Sequence, residues 1–342
     1  MAAYVRDLWY MVAWEEEVPE EGVLTRTILD RRMAFYRKRD GGYAGLVDRC
    51  PHRFAPLSMG SRDGDALVCG YHGLTFDETG ACIRNPFSAT IPSNCSVESF
   101  ATVARDGMLW MWNGERAAAD PARIPDFSMM GNDVPQGRGH LNFAADYEVM
   151  TDNLMDLTHL EFLHANSFGG AGVIFRGSYT SSEEADGTIW SRWWMPDTRP
   201  EWASHLPADM KTDHWMEIYW NAPGAMLLEI GLCPAGRPRE EAPAPPICGS
   251  HVVTPETEGR AHYFYAFVQY HGDVDDNITL RAFKNEDQPM LEAVQREMGD
   301  ADFWDLKPVI LHVDGAGIRA RRHLARLRRE QEGAEVEALA AE

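Results

Sequence analysis

Two hydrophobic rhythms follow one another along the chain, and the change between them divides it. From residue 1 to about 125, apolar positions come in short β-branched or aromatic runs broken by Gly and Asp. "MAFYRKRDGGYAGLVDRC", Met33 to Cys50, reads as strand, turn, strand, because RDGG supplies the positive φ that a tight hairpin needs. "GMLWMWNGE" reads as a further strand, and together these predict a small antiparallel β domain. "AAADPARIPDF" then carries two prolines and marks a linker. Beyond it, Val149, Leu154, Leu157, Leu160 and Leu163 recur at helical intervals, which predicts a helix from about Tyr147 to His164. Strand patterns return in "GTIWSRWWMP", "WMEIYWNAPGAMLLEIGL" and "GRAHYFYAFVQYHG". Helices are expected over roughly 277–298 and 314–330, with the last dozen residues fraying. The expected class is α+β, with domains at 1–125 and 126–342.

Composition narrows the partners. A formal net charge of -21 repels phosphate backbones and anionic lipid, so neither nucleic acid nor membrane is expected to bind. No run of eighteen apolar residues occurs, and "MAAYVRDLWYMVAW" lacks the pattern of a secretory leader, so the expected location is the cytoplasm. "GIRARRHLARLRRE", Gly317 to Glu330, is basic against this background and reads as a solvated helix face or a docking patch for an acidic protein. Six cysteines without an export signal do not make a disulfide framework. Cys82, Cys95, Cys233 and Cys248 read as ordinary buried thiols.

The other two cysteines stand in a metal-binding pattern. Cys50-x-His52 is followed, after sixteen residues, by Cys69-x2-His72. Two Cys and two His suit tetrahedral zinc or a 2Fe-2S cluster in which two imidazoles replace two thiolates on one iron. Each loop contributes one Cys and one His. That suits two irons, with both thiolates on the inner one and both imidazoles on the outer. Pro51 stiffens the first loop, while Gly70 and Gly73 let main-chain amides approach sulfur.

A second pattern lies in "DNLMDLTHLEFLH", which offers Asn153, Asp156, His159 and His164. Two histidines and one carboxylate with open positions make the facial triad of non-haem iron(II) oxygenases. On a regular helix His159 and His164 stand about 140° apart. They can share one ion only if a turn widens or the helix ends between them. Spacing does not select the carboxylate: Asp300, Asp302 and Asp305 compete with Asp287, and Glu286 is adjacent to it.

"CPHRFAPLSMG…CGYHG" and "DNLMDLTHLEFLH" resemble the cluster and iron motifs of the Rieske oxygenases, within them the branch of vanillate and dicamba demethylases. "LWYMVAW", "SHVVTPETEGRAHYFY" and "HVDGAGIRARRHLARL" extend the resemblance over nearly the whole chain. It implies a Rieske 2Fe-2S domain followed by a helix-grip catalytic domain, an antiparallel sheet closed around long helices, that holds mononuclear Fe(II). It implies Asp287 as the third iron ligand. It further implies a head-to-tail homotrimer in which the cluster of one chain serves the iron of the next, with Asp156 linking His72 to His159. Electrons would come from NAD(P)H through a separate flavin and iron-sulfur reductase, and no G-x-G-x-x-G is present to bind a dinucleotide here. The implied reaction is O2-dependent hydroxylation of a methoxylated aromatic acid, giving O-demethylation, with ring dihydroxylation the other outcome open to such a site. By the same resemblance His251 contacts a substrate carboxylate. Asn221 and Trp220, on a neighbouring strand, are further pocket candidates.

Overall fold

The computed structural model describes residues 4–130, 136–167, 172–199, 206–207, 209–268 and 276–341. The chain forms two compact units, Met1–Pro125 with Thr254–Glu258, and Asp126–Val253 with Gly259–Glu342.

The first unit is built from short strands: β1 (Trp9–Trp14), β2 (Leu24–Ile28), β3 (Arg31–Arg37), β4 (Tyr43–Val47), β5 (Ser61–Asp63), β6 (Ala66–Val68), β7 (Thr75–Phe76), β8 (Cys82–Arg84), β9 (Ser99–Phe100), β10 (Thr102–Arg105) and β11 (Met108–Trp112). They form sheets ordered β1-β11-β10, β2-β3-β4-β9 and β5-β6-β7-β8. The RDGG hairpin joins β3 to β4, closed by Lys38 N–H donating to Gly42 O at 2.8 Å. Alternation along β3 and β4 serves two cores at once. Met33, Phe35 and Tyr43 face Tyr10, Val12, Leu109 and Met111. Ala34, Tyr36, Ala44 and Leu46 face the other way, onto Cys50, Leu57, Leu67, Cys69 and Phe76. The cysteine loops therefore rest on a packed apolar floor. Thr254–Glu258 also belongs to this unit: Leu29 and Asp30 N–H donate to Pro255 and Glu256 O, and Thr254 Oγ1 donates to Met11 O at 2.6 Å. A linear split at residue 125 does not contain that excursion.

The second unit holds one seven-stranded sheet of β12 (Gln136–Phe143), β13 (Ser178–Glu183), β14 (Ile189–Met195), β15 (Thr212–Asn221), β16 (Ala225–Pro234), β17 (Ile247–Thr257) and β18 (Arg260–Val268), in the order β12-β18-β17-β16-β15-β14-β13. Its helices are α1 (Tyr147–Met155), α2 (Asp276–Arg281), α3 (Gln288–Met298) and α4 (Gly315–Ala341). A π-helical turn, Ala282–Asp287, joins α2 to α3 without a break. Helix α1 packs on both α3 and α4, and α4 lies against β13 and β14. The expected α+β class is what the chain adopts. The expected strand "GRAHYFYAFVQYHG" is described only as far as Val268.

Three expectations change. The helix foreseen over 147–164 ends at Met155, because Asp156 turns extended (φ -103°, ψ 99°) and its carboxylate accepts from Thr158 N–H at 2.9 Å and Thr158 Oγ1 at 2.6 Å. Such a side-chain-to-backbone bond competes with helical continuation, and a 3-10 turn, Leu157–Glu161, starts afresh. The basic stretch is a solvated face only in part: Arg319, Arg322 and Arg329 are exposed, while its other cations are tied to acids of the same unit. Arg321 is buried against Asp152 (2.7 Å) and Glu148 (3.1 Å), Arg328 bonds Glu148, and Arg326 and His323 meet Glu183. Its helix also runs on to Ala341, through the segment expected to fray. Finally, Cys233 and Cys248 are buried as expected, but Cys82 and Cys95 are only half-buried. None of the described helices is long and apolar enough to cross a membrane.

Candidate metal centres

The two cysteine loops are the same turn made twice. Cys50 N–H donates to Ala55 O (2.9 Å) and Phe54 N–H returns to Cys50 O (2.9 Å); Cys69 N–H donates to Leu74 O (2.8 Å) and Gly73 N–H returns to Cys69 O (2.9 Å). Both turns need a left-handed residue at their fifth position, and Gly73 (φ 69°) meets this without strain. Phe54 (φ 61°) occupies the matching place despite its side chain. Cys50 and Cys69 are buried in the same apolar cluster, and burial pushes the Cys50 thiol up from its ordinary pKa. His52 is exposed and His72 half-buried, their rings 4.6 Å apart. Thiols inward and imidazoles outward is the polarity that a two-iron cluster with two kinds of iron requires. Among the described residues the only His/Cys/Asp/Glu group that closes on one point is a different one, so these four do not converge as tetrahedral zinc demands.

That other group is His159, His164 and Asp287, whose donor atoms all lie within 4.8 Å of one another. His159 sits on the 3-10 turn and His164 beyond it, so the broken helix removes the 140° obstacle. Their rings stand 5.0 Å apart. His164 Nε2 is 3.2 Å from Asp287 Oδ2, and His159 Nε2 is 3.8 Å from Asp287 Oδ1. Ligands about 2.1 Å from a shared ion and at right angles would lie about 3 Å apart, so the set suits one ion. Burial holds His159 below the ordinary histidine range, leaving a neutral imidazole with a lone pair to give. Burial alone would also lower His164, but its bonds to Asp287 and Glu286 outweigh it and raise it.

Asp287 reaches the histidines because of the π turn. Pro289 has no N–H to return to the carbonyl of Asn285, so the helix widens there instead of continuing regularly. Two consecutive acids then serve the same site. Asp287 faces Nε2 of His164, while Glu286 Oε2 accepts from His164 Nδ1 at 2.7 Å and from Ser167 Oγ at 2.5 Å. In the sequence Glu286 stands out only as the neighbour of Asp287; its bond to the far ring nitrogen had no signal in spacing. Asn153, on α1, donates to Asp287 Oδ1 at 3.4 Å. Among the described residues, Asp300, Asp302 and Asp305 join no such group. Asp156 lies at the head of the turn, with its main-chain carbonyl bonded to His159 Nδ1 and its Oδ1 held by Thr158.

The sheet face that carries the aromatic side chains adds one more feature. His251 is buried, with Nδ1 2.6 Å from the Tyr263 hydroxyl and Phe267 and Phe283 packed edge-on. Its Nε2 is buried and has no hydrogen-bond partner among the described residues. Burial lowers its pKa to about 3, so the ring is neutral. Trp220, Met226 and His251 are aligned across β15, β16 and β17 and share this face. Trp220 packs against His323 of α4, its ring 5.7 Å away. Asn221 must be withdrawn as a pocket candidate: strand alternation turns it to the opposite face, where Nδ2 donates to Thr188 Oγ1 at 2.8 Å.

Comparison with known proteins agrees with both centres. Residues 8–100 match the family described as the Rieske 2Fe-2S domain, and residues 143–330 match the vanillate O-demethylase oxygenase C-terminal domain. The chain belongs to the Rieske non-haem iron oxygenases. The oxygenase is 37% identical to the oxygenase component of dicamba O-demethylase from Stenotrophomonas maltophilia, over 95% of this chain and 98% of that one. It is 36% identical to the oxygenase component of chloroacetanilide N-alkylformylase from Rhizorhabdus wittichii, over 94% of each. The vanillate O-demethylase oxygenase subunit of a Pseudomonas species is 34% identical over 91% of this chain and 98% of its own. The crystal structure of dicamba monooxygenase bound to dicamba superposes with a TM-score of 0.86 at 35% identity, covering 97% of this oxygenase and all of that chain. Members of the family carry a 2Fe-2S cluster and a mononuclear iron, and the donor sets described above fit both.

Proposed function

We propose that this chain is the terminal oxygenase of a multicomponent system that hydroxylates the methyl group of a methoxylated aromatic acid. The observation that carries the choice of substrate class is the buried Nε2 of His251, which has no hydrogen-bond partner among the described residues. Burial also raises the Tyr263 hydroxyl well above its ordinary pKa, so it stays protonated. When it donates into Nδ1, the His251 proton rests on Nε2 and points at a place where an acceptor oxygen of the substrate would sit. A carboxylate or ring oxygen satisfies that donor, whereas an apolar ligand leaves it unpaired at a cost of about 1–3 kcal/mol. Aromatic walls from Phe283, Tyr265 and Phe267 suit a flat ring.

In this reading Cys50 and Cys69 hold the inner iron of the cluster and His52 and His72 the outer, while His159, His164 and Asp287 hold ferrous iron. When bound, these groups supply electrons and the activation of dioxygen, one oxygen atom entering a C–H bond of the methyl group and the other leaving as water. Hydroxylation of an aryl O-methyl group gives a hemiacetal, which collapses to a phenol and formaldehyde. Glu286 and the Asp156 carbonyl fix the two imidazoles through their Nδ1 atoms, so both present Nε2 to the metal. Asn153 steadies the Asp287 carboxylate.

Electrons come from a separate reductase with flavin and its own iron-sulfur centre, and the working unit is a homotrimer. Exposed apolar side chains support an assembly through both sites. Phe54, Met59, Tyr71 and Phe87 are exposed about the cluster loops, and Phe162 and Phe175 are exposed beside His159. Asp156 Oδ2 makes no bond among the described residues, which leaves it able to accept from a partner imidazole such as His72 of a neighbouring chain. The test is a panel of methoxylated, sulfonated and unsubstituted aromatic acids with a supplied reductase, read by formaldehyde release. A diol from an unsubstituted acid, with no formaldehyde from any methoxylated one, would replace demethylation by ring dihydroxylation.

A further inference from the structure

Cys82 and Cys95 belong to neither metal centre, yet the fold sets them face to face. Ala81 and Ser96 form an antiparallel bridge, and Val97 N–H donates to Gly80 O at 2.8 Å. The bridge is isolated, and Cys82 and Cys95 are the next residue on each side of it, which continuing its register would set opposite one another. Opposed residues of an antiparallel pair have Cα atoms about 4.5–5.5 Å apart, inside the range of about 4.4–6.8 Å that a disulfide spans. Cys82 lies near enough to Cys95 to add to the rise that burial gives its thiol pKa. Cys82 Sγ itself donates to Arg84 O at 3.5 Å. Both are half-buried and pack on the apolar cluster that contains Cys50 and Cys69.

The loop they close lies against the rim of the cluster site. Between the two cysteines, Phe87 sets its ring 6.5 Å from that of His72, edge to face. Pro86 is so close to Gly73 that a Cβ there would meet its Cγ at 3.0 Å. Within the loop Asn85 ties its own turn, accepting from Phe87 N–H and donating to Thr90 O, both at 3.1 Å. A covalent link between residues 82 and 95 would pin this loop at its base.

We propose that Cys82 and Cys95 are a disulfide-forming modification site that staples residues 83–94 over His72. The oxidant is a low-molecular-weight disulfide. The Cys82 thiolate attacks one of its sulfurs and releases one small thiolate; the Cys95 thiolate then attacks the Cys82 sulfur of the mixed disulfide and releases the second. Two protein thiols are oxidised, one small disulfide is reduced to two thiols, and no other electron acceptor is needed. The bond follows from the strand placement alone, whereas its effect on the cluster rests on His72 being a ligand.

The experiment uses the cluster-loaded full chain, incubated anaerobically with glutathione disulfide, then denatured, alkylated and digested with trypsin. The expected result is loss of two alkylatable thiols and a linked pair of peptides, Asp63–Arg84 with Asn85–Arg105, absent from Cys82→Ser and from Cys95→Ser. Fragmentation assigns the link to Cys82 and not Cys69. In the linked protein, bleaching of the cluster absorbance by a chelator in air should slow on the order of tenfold, with no response to glutathione disulfide in either Ser variant. Glutathione adducts that persist without a link, or two thiols that stay fully alkylatable, would overturn the proposal. A link with unchanged bleaching would overturn the staple. A link in protein that shows no cluster spectrum at all would sustain the disulfide while refuting the metal reading.

Discussion

Glu286 shows how much of this site is decided one side chain away from the metal. An imidazole that donates Nδ1–H to a carboxylate is held in one tautomer and is a stronger donor at Nε2. Glu286→Ala is expected to weaken iron affinity about 10–100-fold while the cluster absorbance stays unchanged, and Glu286→Gln, which keeps an acceptor but not the charge, should fall between. Chelator competition measures this directly, and equal affinities in all three proteins would remove Glu286 from the site. Buried histidines also set a pH dependence. His251 is held down to about 3 and His214 to about 4 by burial, against about 6.5 in an unfolded chain. Between pH 6.5 and 4 the unfolded state therefore binds more protons than the native one, and stability falls as pH falls, by about 1.4 kcal/mol per pH unit for each such histidine. Buried Asp152, raised to about 6, works in the opposite direction over the same range. The check is therefore the difference between proteins: stability from urea melts between pH 7 and 4.5 should fall less steeply in His251→Phe than in the parent, by about 1.4 kcal/mol per pH unit. The types of donor were legible in the sequence at this scale. Which ring nitrogen each histidine presents was not, since that depends on partners 122 residues away for His164 and three for His159.

At the scale of elements, two interruptions bring His159, His164 and Asp287 together. Asp156 stops α1 so that His159 and His164 can converge, and the π turn before Pro289 swings Asp287 toward them. Helical periodicity extrapolated straight through the first, because Leu157, Leu160 and Leu163 continue the apolar pattern. A local bond from the Asp156 carboxylate to Thr158 overrides that periodicity. For the second, Pro289→Ala restores an N–H within a continuous helix. The expected outcome is a Tm raised by a few degrees, since a helix-interior proline costs up to about 3 kcal/mol, together with lower iron occupancy as Asp287 rotates off the histidines. Calorimetry and metal analysis on one preparation separate the two effects. Unchanged iron content would mean that the widened turn does not aim the carboxylate.

For the whole molecule, exposed aromatics at both centres and the unused Oδ2 of Asp156 point to function across a chain boundary. Asp156→Asn keeps an Oδ1 that accepts from Thr158, so the turn and its iron are retained. Turnover should nonetheless fall by more than about tenfold, because the amide cannot accept as a carboxylate does from a charged or metal-bound imidazole. Cluster and iron content measured beside coupled activity checks this, and full activity would exclude the relay. The basic stretch near the end of the chain carries the opposite lesson. Its sequence reads as a surface, and Arg319, Arg322 and Arg329 do face solvent, but Arg321, Arg326 and Arg328 are spent on Asp152, Glu148 and Glu183.

What the chain's own text determined is its chemistry and its broad architecture. Paired Cys-His loops, a two-histidine motif with acids downstream, and the passage from alternating to helical periodicity each follow from local residue order, which physics reads over a few neighbours. What only the tertiary structure decided is convergence. Asp287 among several acids, Glu286 behind His164, the lone nitrogen of His251, the withdrawal of Asn221 and the meeting of Cys82 with Cys95 all depend on register and on contacts between distant segments. Those are settled by packing, and no local rule of spacing contains them.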